Sequence, residues 1–217
     1  AFVPDGRSQP RLNFELNTLS VLNLLEAART VDPKMRLVVA TSAQIYGPGD
    51  RGREPAATEE TPLQPDSLYT IAKAAADQTA LWYARRQGLP VMTARPHNHT
   101  GPGQSPAFAV PAFAAQLRRM ARGEIPALLR MGNPDSLRDF TDVRDVVRAY
   151  ALLLEQGRLG QAYNIASGRL VRMGDVVDRL AALAGLDCRR ETDPALFRPT
   201  DSSRLVSTRR IQEETGW

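Results

Sequence analysis

The chain has 217 residues, 42% of them apolar, and a formal charge of +4, so it can bury a real core and is not a disordered polyelectrolyte. Its basic residues are scattered along the chain, which argues against nucleic acid as the partner, and no apolar run approaches the ~18 residues of a membrane span. The single cysteine, Cys188, excludes an internal disulfide and a thiolate metal cluster, and the expected compartment is the cytoplasm.

Leu12, Leu16, Leu19, Leu22 and Leu25 recur at helical spacing and predict a first helix that gives out near Arg29. Leu37 to Thr41 is a continuous apolar run with β-branched residues, as expected of a strand covered on both faces. A loop rich in Gly, Pro and charge spans Gly47 to Pro65. The next helix is expected to be capped at Asp66 or Ser67, to carry Leu68, Ile71, Ala72, Ala75 and Thr79 on one face, and to end at Arg85-Arg86 before Gly88. Val91 to Arg95 reads as a second buried strand and Ala162 to Ile165 as a third. Helices are expected at Pro111–Arg122, Asp142–Gln156 and Met173–Ala184, each with a glycine just beyond its end, and a last one from a Ser207 cap through Ile211. Strand and helix alternate, so the expected class is α/β with a doubly wound parallel sheet. The second half, richer in Pro and Arg, is expected to form a smaller region facing the substrate from about Gly103 onward.

Tyr69 and Lys73 stand four residues apart, which on a helix puts both side chains on one face, one turn apart. A phenol is a poor acid or base at neutral pH, and a neighbouring ammonium is expected to lower its pKa by favouring the phenolate. The pair therefore suits proton transfer to or from a carbonyl. Ligands of open parallel sheets lie beyond the carboxyl ends of the strands, where Thr41-Ser42-Ala-Gln44-Ile-Tyr46-Gly47 supplies a hydroxyl.

Thr-Ser-Ala-Gln-Ile-Tyr-Gly, the Tyr-x-x-x-Lys pair, and Arg95-Pro96-His97-Asn98-His99-Thr100-Gly101-Pro102-Gly103-Gln104 together resemble the extended short-chain dehydrogenases/reductases. The blocks Arg138 to Asp145, Tyr163-Asn164 and Phe197-Arg198-Pro199 are most similar to the branch of GDP-mannose dehydratases and GDP-4-keto-6-deoxymannose reductases. The resemblance implies a Rossmann-like fold, with residues 1–102 the later part of the NAD(P)-binding domain and 103–217 a substrate-binding region, about 139–166 returning to the first domain. It implies Ser42, Tyr69 and Lys73 as catalytic residues. Tyr69, Lys73, Pro96 and His99 would meet NADP or NAD, and Gln44, Asn98, Arg138 and Arg198 a GDP-linked sugar, in a homodimer.

Dehydratases of this branch carry a glutamate two residues before the tyrosine of the strand-end motif. Here Gln44 stands there and cannot act as a base, so the expected activity is reduction at C4, giving a GDP-6-deoxyhexose of the GDP-rhamnose type. A 4-epimerase uses the same residues, and a dehydratase-like enzyme or a non-catalytic sugar-nucleotide-binding remnant are the other readings. Two patterns are set aside. Gly47-Pro-Gly49-Asp-Arg-Gly52 matches a dinucleotide fingerprint but is followed by Pro55 and charge, and His97-Asn-His99 lacks further ligands, so no metal is expected. The true fingerprint is expected upstream of Ala1, and both ends of the chain read as cut.

Overall fold

The computed structural model describes residues 9–50, 53–197 and 203–217. The first helical segment runs as α1 (Pro10–Phe14), a π turn (Glu15–Leu19) and α2 (Ser20–Val31), where the leucine spacing predicts one unbroken helix. The wider turn coincides with Asn13 and Asn17, both buried, the amide of Asn17 donating to the Asn13 carbonyl at 3.0 Å.

Strand β1 (Leu37–Ala40) leads into a 3₁₀ turn, Ala43–Tyr46. The chain then makes its predicted excursion and returns to the same point: Gln64 N–H donates to the Ile45 carbonyl at 2.9 Å. Gly47 sits at φ +88°, and a Cβ there would lie 2.7 Å from the Gln64 carbonyl oxygen, so only glycine fits this neck. The pattern Gly47 to Gly52 opens no helix at its described residues.

Helix α3 (Leu68–Gln87) starts at Ser67, whose hydroxyl accepts from Thr70 N–H in a capping box, and stops at left-handed Gly88. Its buried face differs from the expected one. Ala72, Ala76, Ala80 and Tyr83 face inward, while Leu68 and Ile71 are about two-fifths exposed. Small residues are what the sheet admits there, because α2 and α3 both press on Val39 and Val91.

β2 (Val91–Pro96) and β3 (Asn98–Thr100) follow, then α4 (Ala109–Ala121), β4 (Leu128–Met131), β5 (Leu137–Arg138) and β6 (Phe140–Asp142). α5 (Val143–Gln156), capped by the Asp142 carboxylate, leads to β7 (Ala162–Ile165). β8 (Val171–Arg172), α6 (Met173–Leu183), β9 (Arg189–Thr192) and α7 (Arg209–Thr215) complete the described chain. The last helix begins one residue later than a Ser207 cap requires: Thr208 is its N-cap, without a side-chain bond. Gly123 and Gly185 end their helices in the left-handed region. Gly157 does not: its backbone is extended, and a Cβ would meet the Met92 sulfur at 2.7 Å, so glycine serves close packing there.

The main sheet is parallel in the order β1-β2-β7, with Leu37 opposite Val91 and Thr93 opposite Ala162. Alternate residues feed two cores. Val39 and Val91 pack under α2 and α3, while Met92, Ala94, Tyr163 and Ile165 pack under α5 and α7 with Val146, Leu153 and Ile211. This is the doubly wound layer that the alternating pattern predicts. A separate core, Phe113, Leu117, Leu129, Met131, Met173 and Val177, joins α4, β4 and α6. Two short ladders border it: β3 pairs with β6, and β4 with β9, both parallel.

Candidate active site

The candidate residues gather where β1 and β2 end. Ser42 stands two residues beyond β1 and is buried; its Oγ accepts from Gln44 N–H at 3.2 Å, which fixes the oxygen and leaves the hydroxyl proton to point elsewhere. Tyr69, in the first turn of α3, presents its phenol to this side chain, which draws the phenol's pKa downward. Lys73, one turn on, holds its Nζ 6.0 Å from the Tyr69 ring centre and donates to the Ala40 carbonyl at 3.3 Å. A serine, a phenol and an ammonium thus converge from one strand end and one helix face.

Electrostatics depart from the sequence expectation. The Tyr69 phenol is pushed above its ordinary value, not below it, because burial opposes the phenolate; the Ser42 side chain pulls in the other direction and does not prevail. Burial likewise lowers the Lys73 ammonium. The i, i+4 spacing gives proximity, but the ammonium engages a backbone carbonyl as well as the ring. Tyr150 of α5, which sequence reasoning did not single out, also faces this centre. Burial pushes its phenol up to about 12, and the neighbouring Tyr69 adds to the effect. In sequence it reads only as one more apolar position of an amphipathic helix.

Pro96 ends β2, opposite Ile165 of β7. His99 and Asn98 lie on β3 and are half-buried. The His99 Nδ1 donates to the His97 carbonyl at 3.1 Å, which leaves Nε2 as an acceptor, and Asn98 Nδ2 has no protein partner. A cleft of about 640 Å³ adjoins this ladder, between Thr100, Gln104 and Thr141 on one side and Val110, Ala114 and Arg118 of α4 on the other. Gln44 is exposed on the 3₁₀ turn. Arg138 lies on β5, its Nη1 donating to the Leu137 carbonyl at 3.0 Å. Its neighbour Asp139 accepts three backbone N–H groups, of Ser167, Gly168 and Arg169, at 2.8 to 3.1 Å. Arg198 lies outside the described residues. Among those residues, no three His, Cys, Asp or Glu side chains are grouped to hold a metal ion, and no helix is long and apolar enough to cross a membrane.

A parallel sheet wound with helices on both faces, with serine, tyrosine and lysine at its carboxyl edge, is the build of the extended short-chain dehydrogenase/reductase enzymes. Within that class the chain belongs to the GDP-mannose 4,6 dehydratase family, whose model matches residues 1–217. It is 33% identical over 217 residues to a GDP-6-deoxy-D-mannose reductase of Pseudomonas aeruginosa, covering 100% of this chain and 71% of that protein. The solved structure of RMD from Pseudomonas aeruginosa complexed with NADPH superposes with a TM-score of 0.91 at 32% identity, covering 100% of this chain and 72% of the other. A Thermus thermophilus UDP-glucose 4-epimerase complexed with NAD gives a TM-score of 0.82 at 31% identity, covering 98% of this chain and 67% of that one.

Proposed function

We propose that this protein reduces a GDP-linked 4-keto-6-deoxyhexose at C4, with NADPH or NADH as the reductant. The observation that carries the reading is the convergence of the buried Ser42 hydroxyl, the Tyr69 phenol and the Lys73 ammonium at the end of β1 and the start of α3. The donor set fits a nicotinamide nucleotide: the Lys73 ammonium has three N–H groups, and the Ala40 carbonyl takes one. Lys73 with Tyr69 would hold its ribose, and Pro96 and His99 would border the ring. When bound, the nicotinamide supplies the hydride.

The protein's part is to position and to protonate. Ser42, buried and oriented by the Gln44 N–H, donates a hydrogen bond to the keto oxygen. Tyr69 delivers the proton to that oxygen as it becomes an alcohol. Its raised pKa keeps the phenol protonated, the form a reductase needs at the start of the step. Gln44 lacks the basicity to remove a sugar proton, which separates this reading from dehydration. Asn98, Arg138 and Arg198 are proposed to bind the GDP portion, where a guanidinium can take two phosphate oxygens at once.

The similarity to a reductase over the whole of this chain supports the same reading. A homodimer through the α3 helices is part of it. Leu68, Ile71 and Trp82 on α3 are 38%, 41% and 50% exposed, and the adjoining Leu16 and Leu24 are 44% and 51% exposed, an apolar surface of the kind that pairs with a second copy.

The test is to mix the full-length protein with GDP-4-keto-6-deoxymannose and NADPH, follow NADPH absorbance and product together, and repeat with Tyr69→Phe. One NADPH consumed per product, lost in the variant, is the expected result. Turnover without net NADPH consumption points to the 4-epimerase, and binding without turnover to a non-catalytic protein.

A further inference from the structure

Behind the serine and tyrosine lies a buried ion pair that no role assigned so far has used. Asp77 is fully buried on α3, one turn beyond Lys73 and two beyond Tyr69. Its carboxylate meets the Arg95 guanidinium as a two-pronged pair, Nε to Oδ1 at 3.0 Å and Nη2 to Oδ2 at 2.6 Å. Oδ1 also accepts from the Thr41 hydroxyl at 3.1 Å, and Oδ2 from the Gln78 amide at 3.1 Å. The remaining prong of Arg95, Nη1, donates to the Tyr46 hydroxyl at 2.7 Å and to the Glu59 carbonyl at 3.2 Å. Tyr46 passes the chain on to Asn164 Oδ1 at 2.9 Å.

Three members of this network adjoin residues of the candidate site. Thr41 precedes Ser42. Tyr46 closes the turn that holds Gln44. Arg95 precedes Pro96 and stands three residues before Asn98. The three segments that bear the chemistry, the end of β1, the start of α3 and the end of β2, share no other buried charge among the described residues.

A buried ion pair is a poor source of net stability, since taking two charges out of water costs about as much as their attraction returns, and apolar replacements are often neutral or better. What a planar fork with fixed partners does supply is geometry. We infer that Asp77 and Arg95 are positioning residues, which set the placement of α3 against β1 and thereby the contact of Ser42 with Tyr69. The inference rests on the proposed roles of that serine and tyrosine.

Losing the placement should leave nucleotide binding nearly intact and move Ser42 away from the Tyr69 phenol. The phenol would then stay protonated to higher pH, as it would if Ser42 itself were removed. The experiment uses the full-length protein with Asp77→Asn, Arg95→Lys and the apolar pair Asp77→Leu/Arg95→Met, alongside Tyr69→Phe and Ser42→Ala. NADPH consumption gives kcat, KM and the pH profile of kcat/KM, which reports the free enzyme, and circular dichroism gives the thermal midpoint.

Expected for Asp77→Asn and Arg95→Lys is a kcat about 10- to 100-fold lower, with KM little changed and the alkaline limb moved upward. Combining Asp77→Asn with Ser42→Ala should move that limb no further than Ser42→Ala alone. If a single variant does not fold, the apolar pair, which keeps the packing, is read by the same two quantities. A lowered thermal midpoint with wild-type kcat and pH profile overturns the inference and leaves the pair a purely structural feature. Wild-type kcat in Tyr69→Phe overturns the underlying reading as well; loss of activity in Tyr69→Phe with unaltered Asp77→Asn overturns this inference alone.

Discussion

His97 Nε2 and the carbonyl oxygen of Arg204 lie 2.7 Å apart, a bond between the β2–β3 turn and the C-terminal segment 107 residues away. A carbonyl can only accept, so Nε2 carries the proton, and the buried Nδ1 has no partner. Burial holds the imidazole neutral by lowering its pKa; Asp139 pulls in the opposite direction and Arg138 adds to the lowering.

Stability should therefore depend on acid. The folded His97 has a lower pKa than the unfolded one, so the unfolded state binds the proton first as pH falls. Its full contribution is present above the unfolded value of about 6.5 and is lost progressively below it. The thermal midpoint of the wild type should drop on acidification through that range more steeply than that of His97→Gln, which retains a donor for the carbonyl. Parallel curves for the two proteins would rule this out.

Ser42→Ala removes the proposed donor to the substrate and, before substrate binds, the side chain that draws the Tyr69 pKa down. The rate should fall by about 10²–10³-fold, the usual loss for a donor to a developing oxyanion. Proton donation fails once Tyr69 ionises, so the alkaline limb of kcat/KM, which reports the free enzyme, should move to higher pH in the variant. A limb moved downward would contradict the direction in which Ser42 acts on Tyr69.

Ser67→Ala breaks the capping box that starts α3. A loss of about 0.5–2 kcal/mol in unfolding free energy is expected, read by urea denaturation, with kcat nearly unchanged because the rest of the helix stays packed.

Leu153 is fully buried in the core between α5 and the sheet. Leu153→Ala should cost about 2–5 kcal/mol, the range for a leucine cavity that relaxes only in part. A cost below about 1 kcal/mol would mean that α5 closes onto the gap.

The main sheet is legible in the sequence because β2 and β7 are buried at every position, so each shows as a largely apolar run, interrupted at Arg95 and Asn164, whose polar groups are paired inside the fold. β9 is the opposite case. Arg189–Thr192 is exposed throughout and pairs with Leu128–Met131, about 60 residues away, a partnership that no local pattern announces. At the site, Tyr69 and Lys73 are legible through helical spacing, and Ser42 through its place at a strand end. The shift of Tyr69 is not, since burial overrides the charge effect that proximity alone suggests. Asp77 also escapes a sequence reading: an aspartate in a helix looks solvated until Arg95 arrives from the next strand.

The neck formed where Gln64 returns to Ile45 bears on how the gene can vary. Since the excursion closes on itself beside Gly47, and Asp50 N–H meets the Glu54 carboxylate at 2.9 Å, residues added between these two positions need not pull on Ser42 or Gln44. Doubling such a loop adds only about 0.6 kcal/mol of closure entropy. From Ala57 onward the same freedom ends, because the Ala57 carbonyl and the Glu59 carboxylate are both bonded to Asn164. Insertions and deletions among relatives should therefore accumulate between positions 50 and 54 and stop short of 57.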